Sequence, residues 1–431
     1  MKRAWSILLL VAFVAAACGG DEQTSNRGDN ELPASTAAQS AEVGLGGADL
    51  FGLVTERNTS PGADGEVVNA VVEGANEFAI RFFKAAVPTS TENVVVGNYS
   101  ISTALFLPMA GTAGETMTGF AGLLGVSDID REKLHPAVNA IDLILESRAG
   151  DGLDISTANK LFVQNGLELR DEFLDVAVGS YGAPVAAVDF GSADEAVTAV
   201  NEWVADVTDG FIEELATEYS PQTVVVLANA MYLKASWGVQ FHRLEEPAPF
   251  TNQEGDMVDV EMMGHDEFLP VYGGPDFVAV EIPYVGGNLG LVVVQPGDLA
   301  GFEADLSASA LADITDGLHE SGIHLTMPIW STESNIEALE PLHKIGLPME
   351  YDFSAMLDGG DSGYFIDSIS HVARIDVDET GTTAGAATDV MISVSHGPTI
   401  AINRPFFYFV RDRGSGVILF MGHVTNPAAS G

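Results

Sequence analysis

The run Asp376-Val377-Asp378-Glu379-Thr380-Gly381-Thr382-Thr383-Ala384-Gly385-Ala386-Ala387-Thr388-Asp389-Val390-Met391-Ile392-Ser393-Val394-Ser395-His396-Gly397-Pro398-Thr399-Ile400-Ala401-Ile402-Asn403-Arg404-Pro405 decides how this chain is read. Eight consecutive residues, Gly381–Thr388, are all Gly, Ala or Thr. Such a composition usually means a flexible linker. This one lies near the C-terminus, between the β-like stretches Phe365–Asp376 and Phe406–Arg411, an odd place for a domain linker. Its alternation is informative. One parity holds Thr382, Ala384, Ala386, Thr388, Val390 and Ile392, all uncharged; the other holds Thr383, Gly385, Ala387, Asp389, Met391 and Ser393, with the only charge. Successive strand residues face opposite sides of a sheet, so the first set suits an interior and leaves Asp389 in water. The segment reads as a loop able to become a strand.

Around it lies a long folded unit of mixed texture. Val68, Val71, Val72, Ala75, Phe78, Ala79, Phe82 and Phe83 recur at helical spacing within Val67–Val87. Further helices are expected over Ser100–Ala110, Gly114–Leu124, Leu134–Ser147, Arg170–Val178 and Ala193–Thr208. Strands are expected over Thr223–Leu233, Phe277–Ile282, Leu289–Gln295, Ile323–Pro328, Phe365–Asp376, Phe406–Arg411 and Val417–Val424. Helices in the first half and strands in the second argue for an α+β fold rather than alternating βαβ units. No break between residues 67 and 427 is rich enough in Pro and Gly to divide the unit, so one domain over 67–431 is expected.

The N-terminus reads differently. Lys2-Arg3, the apolar run Ile7–Val14 and Ala15-Ala16-Ala17 form an export signal over residues 1–17. The chain's single cysteine, Cys18, follows at once, which resembles the lipobox of bacterial lipoproteins and implies lipidation there; the usual Leu three residues earlier is Ala15. A plain secretion signal with a chance cysteine is the alternative. Residues 18–66 are polar and small, cannot bury a core, and read as a tether. The expected location is therefore outside the cell, anchored to a membrane or free.

Charge and composition exclude several classes. Of 431 residues, 62 are acidic and 18 basic, a net charge of −44. Nucleic-acid binding is built from Lys and Arg neutralising phosphates, so this balance argues against it. One cysteine rules out a disulfide framework within the chain and any Cys-rich zinc module. Enzyme-like motifs fall short as well. Gly360-Asp361-Ser362-Gly363 resembles a serine-protease nucleophile segment, but its continuation Tyr364-Phe365 departs and no matching His segment exists. His319-Glu320 and His324 mimic a zinc-protease motif with histidines five apart, not the four that share a helix face. Ser395-His396 are adjacent and cannot form a dyad alone. No enzymatic activity, cofactor or metal is expected.

Six segments, in order, resemble the serpin family, specifically its inhibitory members. They begin with Asn93–Ser102 and Asn159–Gln164, followed by Val200–Val204 and Leu227–Trp237. Asp378-Glu379-Thr380-Gly381-Thr382 with the small residues after it resembles the hinge of that family's reactive-centre loop. Asn403–Phe407 together with Gly416–Pro427 resembles its C-terminal signature. The resemblance implies helices with three β-sheets and an exposed, insertable loop over about residues 379–402. It assigns the hinge to Glu379, Gly381, Thr382, Thr383, Ala384, Gly385, Ala386 and Ala387. It also assigns a polar cluster governing sheet opening to Ser100, Asn159, Asn229 and His371. The chain departs from the pattern at Gly97-Asn98, where the family usually has Ser-Pro.

The implied function is suicide inhibition of a protease, which is held covalently. Counting from Glu379 puts the cleaved bond at Ser395-His396; counting back from Asn403 puts it at Val394-Ser395. No Lys or Arg lies between Arg374 and Arg404, which argues against trypsin-like targets. An elastase- or subtilisin-like serine protease is expected, with a papain-like cysteine protease or a non-inhibitory binding or structural role as alternatives. Arg131, Lys133 and Arg148 are sparse and flanked by acids, so no glycosaminoglycan activator is expected. A monomer is expected.

Overall fold

The computed structural model describes residues 6–10, 56–87, 91–207, 218–239, 241–358, 360, 363–366, 368–382 and 397–429. Helix α1 spans Gly65–Ala86; Asp64 caps it, its side chain accepting the Glu66 N–H at 2.9 Å. Its periodic apolar residues are the buried ones, Phe78, Phe82 and Phe83 among them, each burial favouring the fold by about 1.5–3 kcal/mol. Helix α2, Asn98–Ala110, is buried on every side, as an all-round apolar helix must be. Around these pack α3 (Gly114–Leu123), α4 (Arg131–Glu146) and α5 (Asp171–Tyr181), while α6 (Ala193–Val207) packs apart, its Val200 and Val204 buried with Phe162 and Val226.

One sheet carries the site. Its strands are β1 (Leu153–Gln164), β2 (Val185–Val188), β3 (Val225–Ser236), β4 (Trp330–Glu337) and β5 (Ser368–Asp378). β2 pairs with β1 in parallel, β1 with β3 antiparallel, and β4 with β5 antiparallel. Between β3 and β5 stand the two loop residues Gly381 and Thr382, antiparallel to both. β3 and β5 therefore run parallel, with a one-strand slot between them. Farther down that line Ser6–Leu10 pairs in parallel with Ser368–Val372; these residues belong to the stretch read as an export leader.

The second sheet runs in the order Thr399–Ala401, His319–Pro328, Met262–Gly273, Phe277–Pro283, Leu289–Pro296, Phe406–Asp412, Ile418–Val424 and Val94–Val96. Ala248–Thr251 and Met257–Val260 form a small third sheet. Leu289–Pro296 and Ile418–Val424 are buried residue by residue, as their largely apolar runs require, with Gln295 and His423 the polar exceptions. α1 lies against this sheet, Phe83 meeting Phe407 edge to face at 5.8 Å.

Helices and strands are less cleanly divided along the chain than the sequence suggests. β1 and β2 fall in the first half, and β4 is a further strand that the apolar pattern does not reveal. β1 is hidden because Asn159-Lys160 interrupts its apolar run. In β4 the buried positions after Trp330 are Thr332 and Ser334, polar residues on the inner face.

Candidate functional site

The loop leaves β5 through a tight side-chain-locked turn. The Asp378 Oδ1 accepts from the Thr380 backbone N–H at 2.7 Å, the Thr380 hydroxyl at 2.6 Å and the Gly381 N–H at 3.3 Å. This arrangement reverses the chain so that Thr382 falls opposite Val377 of β5 and Ala235 of β3. Gly381 is required here. Its φ is +150°, and a Cβ would stand 2.1 Å from the Ala235 carbonyl oxygen.

Thr382 is fully buried, and its hydroxyl bonds the Tyr284 phenol at 2.6 Å. Burial raises the Tyr284 pKa, so it stays neutral and able to donate. Tyr284 stacks on Trp237 at 4.8 Å between centroids. Trp237 in turn donates its Nε1–H to the Asp378 carbonyl at 2.8 Å and its backbone N–H to the Thr380 carbonyl at 3.2 Å. Glu379 points outward and pairs with Arg243 at 3.2 Å, and Arg243 also holds Glu261. The root of the loop is thus already part of the sheet. Tyr284, Trp237 and Arg243 carry no sequence signal for this role; they meet the loop only through the fold.

At its far end the chain re-enters at Gly397, packed so closely that a Cβ there would meet the Gly322 carbonyl. His324 N–H then donates to the Pro398 carbonyl at 3.1 Å, and Thr399–Ala401 pairs in parallel with His324–Thr326. The hinge residues Thr383, Ala384, Gly385, Ala386 and Ala387 and the expected cleavage residues Val394, Ser395 and His396 lie outside the described residues, as does Cys18.

Below the slot, three of the four residues assigned to the polar cluster form one chain. The Ser100 hydroxyl donates to Asn229 Oδ1 at 2.5 Å, Asn229 Nδ2 to Asn159 Oδ1 at 2.8 Å, and Asn159 Nδ2 to the Tyr181 carbonyl at 3.2 Å. His371, on β5 across the slot, is held separately: its Nε2 accepts the Gly97 N–H at 2.9 Å. Burial drives its pKa down to about 3, so the ring is neutral and its proton sits on Nδ1. That Nδ1 has no partner within the described residues, nor do Oδ1 and Nδ2 of the buried Asn98. Three polar atoms beside the slot, two of them on Asn98, thus lack partners among the described residues, each costing about 1–3 kcal/mol.

The chemistry on offer is strand addition. A parallel pair of strands, already parted by two loop residues, offers its backbone edges to an added strand, and along Ser368–Val372 that edge is taken by Ser6–Leu10.

A family profile described as serpin (serine protease inhibitor) matches residues 73–427. An uncharacterized serpin-like protein of Thermococcus kodakarensis is 30% identical over 378 residues, covering 85% of this chain and 87% of that one. Serpin A3-5 of Bos taurus is 31% identical over 363 residues, covering 82% and 88%. Among solved structures, human thyroxine-binding globulin superposes with a TM-score of 0.76 at 24% identity, covering 84% of this chain and 99% of that one. The chain belongs to the serpin family and has the serpin fold.

Proposed function

We propose that this serpin inhibits proteases as a suicide substrate. The burial of Thr382 between β5 and β3 carries the proposal, because it sets the register for everything that follows. Continuing that antiparallel register would bring Ala384 opposite Ile375, Ala386 opposite Ala373, Thr388 opposite His371 and Val390 opposite Ile369. These β5 residues are all buried, and the loop residues facing them are the uncharged parity of the sequence. Asp389 would fall on the other parity. Position by position the slot would suit the loop that roots in it, once Ser6–Leu10 leaves the Ser368–Val372 edge.

In this mechanism the protease's nucleophile attacks the carbonyl of Val394 or Ser395. The peptide bond to the next residue breaks, its nitrogen leaves protonated, and the protease stays esterified to the loop. The freed loop then zips into the slot, carrying the protease with it. Insertion must outrun hydrolysis of the ester, and the uncharged small parity makes it fast, since burying a charge without a partner costs several kcal/mol. The absence of Lys and Arg from the loop favours an elastase- or subtilisin-like target. If Ser395 is the recognised residue, Val394 beside it suits a papain-like enzyme, which reads an apolar residue one step earlier.

The likeness to human thyroxine-binding globulin supports a second reading in which the fold serves binding alone. An assay for a covalent complex separates the two. The inhibitor would act as an exported monomer, held to a membrane through Cys18 if that residue is lipidated.

A further inference from the structure

Immediately before α1, residues 56–64 cross the molecule as a strap, and Arg57 anchors it. The Arg57 guanidinium bonds Asp142 Oδ2 at 3.1 Å, Glu146 Oε1 at 2.5 Å and Asn139 Oδ1 at 2.8 Å, all on α4. The strap backbone is stitched down alongside: Asn58 N–H donates to the Gly179 carbonyl at 2.9 Å, and Asn139 Nδ2 donates to the Asn58 carbonyl at 2.7 Å. The fit is close, for a Cβ at Gly182 would come within 2.9 Å of the Arg57 side chain.

Asp142 links this anchor to the slot. Its side chain is 1% exposed, and its second oxygen accepts the Tyr99 hydroxyl at 2.5 Å. Tyr99 sits in the first turn of α2, next to Ser100, which holds Asn229 of β3. Asn229 holds Asn159 of β1, and Asn159 returns to the Tyr181 carbonyl, one residue before Gly182 and the Arg57 contact. A circuit of hydrogen bonds and adjacent residues thus ties the strap to α4, α2, β3, β1 and the end of α5.

We propose that the Arg57 strap is a brake on sheet opening, holding α4 and α2 together above the polar cluster until the strap is lifted. The physical cause is the buried Asp142 carboxylate. With Arg57 seated it has a cation, and parting α4 from α2 breaks its Tyr99 bond at once. With Arg57 gone that ion pair is lost, and holding the charge unpaired or taking up a proton each costs the closed arrangement stability. The strap leads directly back toward residues 18–55, so a cut or pull on the N-terminal segment acts on the slot at a distance. The inference rests on strand insertion as proposed above.

The test measures insertion without a protease. The purified protein is incubated with a synthetic peptide of residues Thr380–Ser393, and uptake is followed by native gel and by the rise in unfolding temperature. Arg57→Gln is expected to take up the peptide about tenfold faster than the wild type, a change within the range of coupling through packed networks. Glu146→Gln, which removes a half-exposed partner, is expected to give a smaller acceleration and serves if Arg57→Gln does not fold. Adding Asp142→Asn to Arg57→Gln should change the rate little beyond Arg57→Gln alone, a non-additivity that general loosening would not produce. Equal uptake rates in the wild type and both single variants would overturn the brake while leaving insertion intact. No uptake by any variant would overturn insertion, and the brake with it.

Discussion

The hydroxyl of Thr382 lies 2.6 Å from that of Tyr284, inside the sheet and out of reach of solvent. Thr382 is the first inward-facing residue of the small, uncharged loop, and Tyr284 belongs to the second sheet's side of the molecule. Their bond shows that strand addition has already begun at one end of the slot. In the proposed mechanism the rest of the loop continues the register that this pair establishes, replacing Ser6–Leu10 beside Ser368–Val372.

Charge at an inward position should stop that continuation. Thr382→Arg or Ala386→Glu is expected to turn the protein from inhibitor into substrate, because several kcal/mol of uncompensated burial slows insertion below ester hydrolysis. The readout is the ratio of cleaved to covalently complexed serpin on a denaturing gel. Undiminished complex in both variants would contradict the assigned parity.

Tyr284→Phe leaves the Thr382 hydroxyl buried without its partner, a cost of about 1–3 kcal/mol. The hinge should withdraw from the sheet and the uncleaved protein should melt at a lower temperature. Thr382→Val in the same background should restore much of the loss, since removing both polar groups is far less costly than removing one.

Asn98 is buried, and neither of its amide atoms has a partner among the described residues. Asn98→Leu is expected to stabilise the uncleaved protein by about 1–3 kcal/mol. It should also slow loop insertion, as measured by the rate of covalent complex formation. A lower denaturation midpoint would show that Asn98 is not a source of stored strain.

Acid should destabilise the uncleaved form. Burial lowers the pKa of His371 and of His135 to about 3, His135 also feeling Arg131, against an ordinary value of 6.5. The unfolded chain binds those two protons below pH 6.5 and the folded chain does not, so their contribution is full above 6.5 and is lost as pH falls toward 3. Asp142 works the other way: burial raises it from 3.8 to about 6, so its contribution improves as pH falls through that interval. Between pH 6 and 4 two losses face one gain, a net slope of about 1.4 kcal/mol per pH unit. Urea midpoints across that range should follow it, and His371→Gln should flatten the slope.

Much of this was legible in the chain. The periodic residues of α1 are its buried face, and the inward parity of the loop agrees with the burial of Thr382. The family resemblance grouped Ser100, Asn159, Asn229 and His371, and the first three bond in sequence. His371 is tied instead to the Gly97 backbone, a partner that no side-chain pattern announces. β4 escaped notice because Thr332 and Ser334 fill its inner face, and β1 because Asn159 and Lys160 break its apolar run. Tyr284 and Arg57 were invisible for a different reason. Each acts through a contact made far along the chain, with Thr382 and with Asp142, and such a pair has no local signature.

The central claim is that protease attack on the loop ends in a trapped acyl-enzyme. Its most direct test incubates the protein with elastase-, subtilisin- and papain-like proteases, resolves the products on a denaturing gel, and maps the loop cut by mass spectrometry. The account predicts a denaturant-stable band combining one protease with the serpin, cut after Val394 or Ser395. Complete loop cleavage at that site by these proteases with no covalent band would contradict it.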